Sequence, residues 1–431
     1  MDTKIRENRI LEISQIKEPV QSGIRLPIRP QKTFNVYQIP LDLLIYNYLN
    51  DRFASSRVEF ETTNPGKTLS DDEESQKTIA GFIWDSNPER NRITLKDILK
   101  NKQQKYGVIT KDGRVIDGNR RLRILREIFH SPEGTFPNIN KANFQFFEAI
   151  ILPEDIDDKE IQLLETQLQM GEDEKLEYGA IEKYLKVNKL KQELGLNYKD
   201  IASQIQQIKN EQDAIKIHET YKLMEEYLVS IDAPNKFSLI KKSEDLFLQL
   251  RNILNNYAKG SYIVNWNPEE KDITYLKMVC FDYIRANYEG KDFRNIMGGP
   301  KDRKGVFSNK DIWDKFLDKH QSKVNEIEKE IKLKNHSDKF KDIQQRESYF
   351  KEKSYSLFEQ NLGNAKEALK NRFKSKESTR LFEEALSKID SVDVDYLINN
   401  FDKNAYEVLN EILQEAIQIK ERILKDVFKK N

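Results

Sequence analysis

The chain has a single cysteine, Cys280, among 431 residues. One cysteine cannot form an intrachain disulfide, and it cannot supply the several thiolates of a structural zinc cluster. The four histidines are far apart in the sequence and lack metal-ligand spacing: His130, His218, His320 and His336. These absences argue against a disulfide-stabilised scaffold, a zinc-binding module and a histidine-based nuclease.

Long apolar runs and net charge are also missing. No stretch of about 18 apolar residues occurs, so we expect no transmembrane helix. The N-terminal segment MDTKIRENRILEI lacks the apolar core of a signal peptide, so we expect a cytoplasmic protein. Lysine plus arginine and aspartate plus glutamate are equal at 72 each. Any nucleic-acid binding must therefore come from a local basic patch.

The residue pattern predicts an α+β N-terminal domain followed by predominantly α-helical middle and C-terminal domains. YGVIT-KDG-RVID is typical of a hairpin with Asp112-Gly113 in its turn, and FQFFEAIIL is the strongest strand signal. After Pro153 nearly every segment has helical periodicity. We divide the chain into four parts: an irregular N-terminal arm (1–35), the α+β domain (36–154), a helical helix-turn-helix-like domain (155–235) and a helical C-terminal domain (236–431).

Two local signals predict where helices begin. Thr94 with Asp97 resembles a capping box before a short helix. Gly195 is expected to end one helix, and a new helix is predicted to begin near Asn197.

The segment VIDGNRRLRIL (115–125) crowds arginines into the first turn of a predicted helix. A helix N-terminus favours acidic side chains, yet Arg120, Arg121 and Arg123 come first, and the predicted helix has no acid before Glu127. The helix has an apolar face, so we expect the arginines on its exposed flanks; that face is formed by Leu122, Leu125, Ile128 and Phe129. A strand, the turn at Gly118 and a helix start with guanidinium groups can form a phosphate site. Arginines that pair with carboxylates are the alternative, and local physics leaves both open.

This segment resembles the phosphate-binding box of the ParB/sulfiredoxin-like superfamily, G-[EHNQ]-x-R-x-x-[AL]. LLIYNYLNDR (43–52) is similar to an earlier motif of that family, in which an asparagine precedes an arginine by five residues, as Asn47 precedes Arg52. LLETQLQMGED (163–173) resembles its second nucleotide loop, E-N-x-Q-R. Glu165 matches the acid of that loop, whereas Thr166 and Gln169 depart from it.

The resemblance implies a nucleoside triphosphate, CTP or ATP, bound with magnesium. Many ParB proteins bind and hydrolyse CTP to close a clamp on DNA. The nucleotide- or phosphate-binding residues carried over are Asn47, Arg52, Asp117, Gly118, Asn119, Arg120, Arg121 and Arg123. Glu165 would help to hold the magnesium ion. The departures from the second loop leave CTPase-like activity open, and no catalytic residue is assigned.

LGLNYKDIASQIQQIKNEQDAIKIHETYKLMEEYL (194–228) resembles the central DNA-binding region of ParB proteins. Ile201-Ala202 matches the common core pair, and Gln206-Gln207 replaces the usual glycine-containing turn. The candidate DNA contacts are Lys199, Lys209 and Lys216. Acidic residues near the start of the predicted recognition helix oppose phosphate contact, so a structural hub or a protein-contact surface is the alternative.

The last helical segment has an apolar stripe made of Leu409, Ile412, Ala416, Ile419 and Ile423. The stripe either packs on the chain's own core or pairs with a second copy or a partner protein. The sequence as a whole predicts a ParB-like, nucleotide-dependent DNA-binding protein acting in partition, regulation or phage and plasmid defence. The alternatives are a phosphotransferase or nuclease on the same fold, and a helical assembly protein with a degenerate box.

Overall fold

A computed structural model describes residues 1–169, 180–260, 264, 266–288, 290–298, 305–336, 340 and 342–428. The chain forms two compact units, Met1–Leu362 and Gly363–Asn431. None of the helices in the described ranges has both the length and the apolar character needed to cross a lipid bilayer.

The first unit begins with a mixed sheet of six strands. These are β1 (Gln21–Ile24), β2 (Phe34–Pro40), β3 (Ile45–Tyr46), β4 (Gly107–Ile109), β5 (Arg114–Asp117) and β6 (Phe146–Ile151), in the spatial order β1-β2-β6-β4-β5-β3. The pairs β4-β6 and β3-β5 are parallel, and the other neighbours are antiparallel. The predicted strand FQFFEAIIL is thus confirmed as β6, between β2 and β4.

The predicted hairpin is β4-β5, and its turn requires glycine. Gly113 has a φ of +81°, and a Cβ there would lie 2.2 Å from the carbonyl oxygen of Leu43. Only glycine adopts this conformation without strain and allows so close an approach. The turn therefore reverses the chain so that β5 pairs antiparallel with β4.

Helices cover both faces of the sheet. They are α1 (Thr3–Ile16), α2 (Ala54–Thr63), α3 (Glu73–Ser86), α4 (Pro88–Asn101), α5 (Asn119–His130) and α6 (Asp158–Gln169). Side chains along β6 point alternately to the two faces of the sheet. Phe147 and Ala149 pack with α3, α4 and α5 on one face, whereas Ile150 packs with Leu164 of α6 on the other. The N-terminal region is thus a mixed sheet between two helical layers.

The prediction that residues 1–35 form an irregular arm is wrong. They contain α1, which Asp2 caps, and the edge strand β1. Ile10 and Ile13 are buried in the core, and the Arg6 guanidinium donates to the carbonyl oxygen of Asp112. Because α1 is polar around most of its circumference, its sequence alone gives little sign of this packing.

The predicted capping box at Thr94 is also wrong. Helix α4 begins earlier, at Pro88, and the side chain of Asn87 accepts a hydrogen bond from the Arg90 N–H at 3.0 Å. Thr94 lies inside the helix, where its hydroxyl donates to the carbonyl oxygen of Arg90. The true signal was an asparagine cap followed by proline at the first helical position.

The described residues beyond Asp157 are mainly helical, as predicted. The helices are α7 (Ala180–Gln192), α8 (Tyr198–Gln204), α9 (Glu211–Ser230), α10 (Glu244–Ala258), α11 (Glu270–Arg285), α12 (Gly290–Met297), α13 (Lys310–His336), α14 (Ile343–Asp390), α15 (Val394–Asn399) and α16 (Lys403–Phe428). Gly195 has a φ of +65° and Asn197 caps α8, so that predicted boundary is confirmed.

Candidate functional site

The glycine turn between β5 and α5 is the starting point of the site. Gly118 adopts a left-handed conformation with a φ of +101°, and its carbonyl oxygen accepts from the Leu122 N–H at 2.9 Å. A Cβ at Gly118 would lie 2.7 Å from Cζ of Phe147. The predicted strand, glycine turn and helix are therefore present, and glycine at the cap position has no side chain with which to bond the first turn.

The three arginines of the box have different surroundings. Arg121 forms an ion pair with Asp117 at 2.7 Å, and Arg123 forms one with Glu127 at 2.8 Å. Arg120 is only 6% exposed, so the expectation that all three lie on exposed flanks is wrong. The Arg120 side chain is buried because other parts of the chain cover the start of α5 on a side that is not apolar. Arg121 is half-buried, and its guanidinium lies beside the turn at Gly118.

Three predicted site residues from separate elements meet at the start of α5. The Asn47 N–H donates to Oδ1 of Asn119 at 3.0 Å, and Asn119 Nδ2 donates to the Val115 carbonyl oxygen at 2.6 Å. Asn47 Nδ2 donates to Oε1 of Glu165 at 3.2 Å. All three side chains are buried. The segment after β3, the first residue of α5 and helix α6 are thus joined by one hydrogen-bonded chain.

A second group of charges, which sequence reasoning missed, adjoins this chain. Asp51 bonds to Lys186 and, at 3.1 Å, to Lys189, both on α7. The side chains of Asp51 and Lys186 are 2% and 0% exposed. The available signal was weak: both lysines alternate with apolar residues on α7, a pattern that is ordinary for a solvated helix flank.

The charged groups of this buried cluster shift one another's pKa values. Burial, and then the charge of Asp51, raises the pKa of Glu165 to about 7. Burial alone would raise the pKa of Asp51 as well, but Lys186 and Lys189 outweigh it and hold that pKa below its usual range. Burial opposes the charge of Lys189, yet the carboxylates of Asp51 and Glu165 raise its pKa. The cluster therefore holds one firmly ionised carboxylate and one that titrates near neutrality.

This cluster could bind anions or exchange a proton. A carboxyl group that titrates near pH 7 is suited to general acid or base chemistry. The cluster suits magnesium less well, because Lys186 and Lys189 already supply positive charge. Within the described residues, no group of three or more His, Cys, Asp or Glu side chains is arranged to hold a metal ion. The metal role of Glu165 stays a prediction, and the end of the predicted second loop, residues 170–173, lies outside the described residues.

Arg52 lies beside the cluster. It is 8% exposed and directly follows Asp51, and its backbone N–H donates to the side chain of Asn50. The predicted residues Asn47, Arg52, Asp117, Gly118, Asn119, Arg120, Arg121 and Glu165 thus come from neighbouring parts of the fold, and Arg123, stacked over Trp84, points elsewhere.

The three candidate DNA-contacting lysines lie on or between α8 and α9. Lys199 on α8 and Lys209 in the connecting turn are exposed, whereas Lys216 on α9 is half-buried. Asn210 caps α9, and Glu211 and Asp213 occupy its first turn. The two helices pack against each other with a turn between them. Exposed lysines are therefore present on α8 and in the turn, whereas the first turn of α9 is acidic.

The residues that would support rival chemistries have structural partners. His218 bonds to Tyr198 at 2.8 Å, and His320 pairs with Asp282 at 2.9 Å. Cys280 is fully buried, and burial raises the pKa of its thiol above the usual range. A reactive cysteine needs exposure and a lowered pKa, so Cys280 is a core residue.

No protein-family model matches the chain, and no curated protein and no solved structure shows significant similarity to it.

Proposed function

We propose that the chain is a nucleotide-dependent DNA-binding protein, in which the N-terminal sheet region binds a nucleoside triphosphate at the Gly118 turn. The observation that carries the proposal is the hydrogen-bonded chain from Asn119 through Asn47 to Glu165. It joins the first turn of α5 to helix α6. The resemblance to the ParB/sulfiredoxin-like box selects these same residues, which adds support from an independent direction.

The chemistry at the turn suits phosphate. The first turn of α5 has partial positive charge and backbone N–H groups that have no acceptor within the helix, and glycine allows an oxygen to approach the backbone closely. Arg121 is placed beside the turn and is held by Asp117 at 2.7 Å. A phosphate group would compete with that carboxylate for the guanidinium, because charge-assisted hydrogen bonds to phosphate are comparably strong.

The route from nucleotide to DNA runs through the buried cluster. Asn47 is close in sequence to Asp51, which bonds to Lys186 and Lys189 of α7. Helix α7 packs on α9, the longer helix of the helix-turn-helix-like region. A nucleotide that shifts the segment 47–52 would therefore act on α7 and then on α9. Linkage requires that DNA and nucleotide change each other's affinity by the same factor.

A helical assembly protein with a degenerate box is the second candidate. The ion pairs Arg121–Asp117 and Arg123–Glu127 favour it, because both arginines have carboxylate partners within the chain. Under this candidate the cluster ties α7 to the sheet region and binds no ligand.

A titration separates the candidates. CTP, ATP and GTP are titrated by calorimetry with magnesium, with and without duplex DNA, and phosphate release is measured. We expect binding of one nucleotide that tightens or weakens when DNA is present. Arg121→Ala should weaken nucleotide binding by about 1.5–3 kcal/mol, or roughly ten- to a hundredfold.

Arg123→Ala is the matched control, because it removes an equivalent i,i+4 ion pair from the same helix. It should leave nucleotide affinity unchanged. Equal losses in both variants would show that the turn is not the binding site. Absence of nucleotide binding would favour the assembly protein, and phosphate transfer that is independent of DNA would favour an enzyme.

A further inference from the structure

Helix α16 in the second unit exposes a broad apolar face. Leu409, Ile412, Ile419 and Ile423 are 49%, 42%, 41% and 52% exposed. The stripe that the sequence placed either in the core or at an interface is thus uncovered within this unit. Large apolar side chains clustered on one helix face mark an interaction surface more often than a free surface.

A groove adjoins the first half of α16. Its volume is about 690 Å³, and apolar side chains from the end of α14, from α15 and from α16 line it. Leu397, Phe401 and Tyr406 belong to this lining and are themselves exposed or half-buried. The groove could receive side chains from a helix laid along α16.

The charges of α16 are unevenly distributed along its length. The acidic residues Glu407, Glu411 and Glu415 lie in the first half, which also has Lys403 at its start, and the basic residues Lys420, Arg422 and Lys425 lie in the second, together with Glu421 and Asp426. Two parallel copies of this helix would bring the acidic halves together. Two antiparallel copies would bring each acidic half against a basic half, which is electrostatically favourable.

We propose that α16 pairs with α16 of a second copy of this chain in an antiparallel, two-fold symmetric dimer. One register brings together the four residues of the stripe from Ile412 to Ile423 and the charges that flank them. It places Ile412 against Ile423 of the partner subunit and Ala416 against Ile419 of the partner subunit. Glu415 then lies beside Arg422 of the partner subunit, and symmetry creates this ion pair twice.

The register follows from heptad geometry. Leu409, Ala416 and Ile423 occupy one position of the heptad, and Ile412 and Ile419 occupy the other. When one set faces the other set of the second helix, the residues that directly precede Ala416 and Ile423 meet across the dimer. Those residues are Glu415 and Arg422. Shifting the pairing by one heptad in either direction would bring Glu415 against itself or Arg422 against itself, so charge selects a single alignment. The small side chain of Ala416 also allows close approach near the symmetry axis.

The second half of the partner subunit's α16 would also occupy the groove. In the antiparallel arrangement, Ile423 of the partner subunit lies against Ile412, which lines the groove. The exposed face and the groove therefore have the same occupant.

Charge reversal tests the direction and register of the pairing. The full-length chain and its variants are measured by sedimentation equilibrium from submicromolar to tens of micromolar concentration. The parent should be a concentration-dependent dimer. Glu415→Arg and Arg422→Glu should each raise the dimer dissociation constant by about tenfold or more, because each places like charges together twice. The double variant Glu415→Arg/Arg422→Glu should recover the parent value.

The matched control is the double variant Glu415→Arg/Lys420→Glu, which would restore a parallel dimer and not the antiparallel one. Recovery in this control alone would overturn the antiparallel arrangement. A parent that is monomeric at tens of micromolar would overturn the dimer and assign the face to a different partner. A dimer unaffected by Ile412→Asp/Ile419→Asp would place the interface elsewhere and overturn the proposal. Circular dichroism of each variant confirms that its helix content equals that of the parent.

Discussion

At Gly118, backbone conformation and side-chain packing both require glycine. A residue with a Cβ would adopt an unfavourable positive φ there and would also press on the ring of Phe147, which is fully buried. The first cost arises at any left-handed position, whereas the second depends on the neighbours. Other glycines of the same chain allow the two costs to be separated.

Gly118→Ala should lower the free energy of unfolding by about 2–4 kcal/mol, of which roughly 1–2 kcal/mol comes from the positive φ. Gly134→Ala is the control, because Gly134 has a φ of +82° and no atom of the described residues lies within 4 Å of the position that a methyl group would take there. In the control, the free energy of unfolding should fall only by the part that comes from the positive φ. Urea unfolding measures both, and equal losses would mean that the contact with Phe147 imposes no constraint.

Glu165 should make stability depend on pH near neutrality. Its pKa of about 7 in the folded state lies above the ordinary value of 4.5. A raised pKa means that the folded state binds the proton more tightly, so stability is highest below about pH 4.5 for this group and falls as pH rises to about 7. Above that range both states are ionised and the contribution is constant.

Glu165→Gln should therefore gain stability relative to the parent as pH rises. The amide resembles the protonated carboxyl group, so the two proteins should be similar near pH 5, whereas near pH 8 the variant should be more stable by about 1–3 kcal/mol. Urea unfolding across this range measures the difference. A difference that does not change with pH would contradict the raised pKa of Glu165.

At the scale of elements, the buried ion pair between Asp51 and Lys186 fastens α7 to the segment after β3. Lys186→Met should destabilise the protein by about 3–5 kcal/mol, because it leaves the Asp51 carboxylate with less compensation in a buried site. Lys189→Met should cost less, since its side chain is 11% exposed. Urea unfolding of each variant measures these losses.

Lys183→Met on the same helix is the control. Its ammonium group is 3.9 Å from Glu244 and both side chains are 25% exposed, so its loss should be below about 1 kcal/mol. If Lys186→Met cost no more than Lys183→Met, the buried pair would not be what holds α7 in place.

At the scale of the whole molecule, acidic and basic residues are equal in number, so any DNA binding would depend on a local surface. If α8 and the following turn contact phosphate, Lys199→Ala and Lys209→Ala should each reduce the dependence of log affinity on log salt by about 0.9 per lost contact, whereas Lys216→Ala, at a half-buried position on α9, should reduce it less. The exposed Lys329 on α13 provides a control, and Lys329→Ala should leave the slope unchanged. Fluorescence anisotropy with duplex DNA at several salt concentrations measures the slopes, and unchanged slopes in the three variants would exclude this surface.

The sequence by itself determined the features that depend on local backbone requirements. The turns at Gly113 and Gly118 were predictable because a tight turn with positive φ needs glycine. The start of α8 was predictable because Asn197 caps the helix with its own side chain. The strand β6 was predictable because the segment is rich in aromatic and β-branched residues, which favour a buried strand. In each case the signal and the structure lie within a few residues of each other.

Only the tertiary structure decided which charged side chains are buried together. Asp51 and Lys186 are 135 residues apart in the sequence, and neither has a neighbour that marks it as buried. Likewise, Arg6 reaches Asp112 across 106 residues and so draws a polar N-terminal helix into the core. A charge can be buried only when its partner is brought to it, and that partner is chosen by packing over long sequence distances. For the same reason, the sequence could show that α16 has an apolar face, but only the folded unit shows that this face is left uncovered.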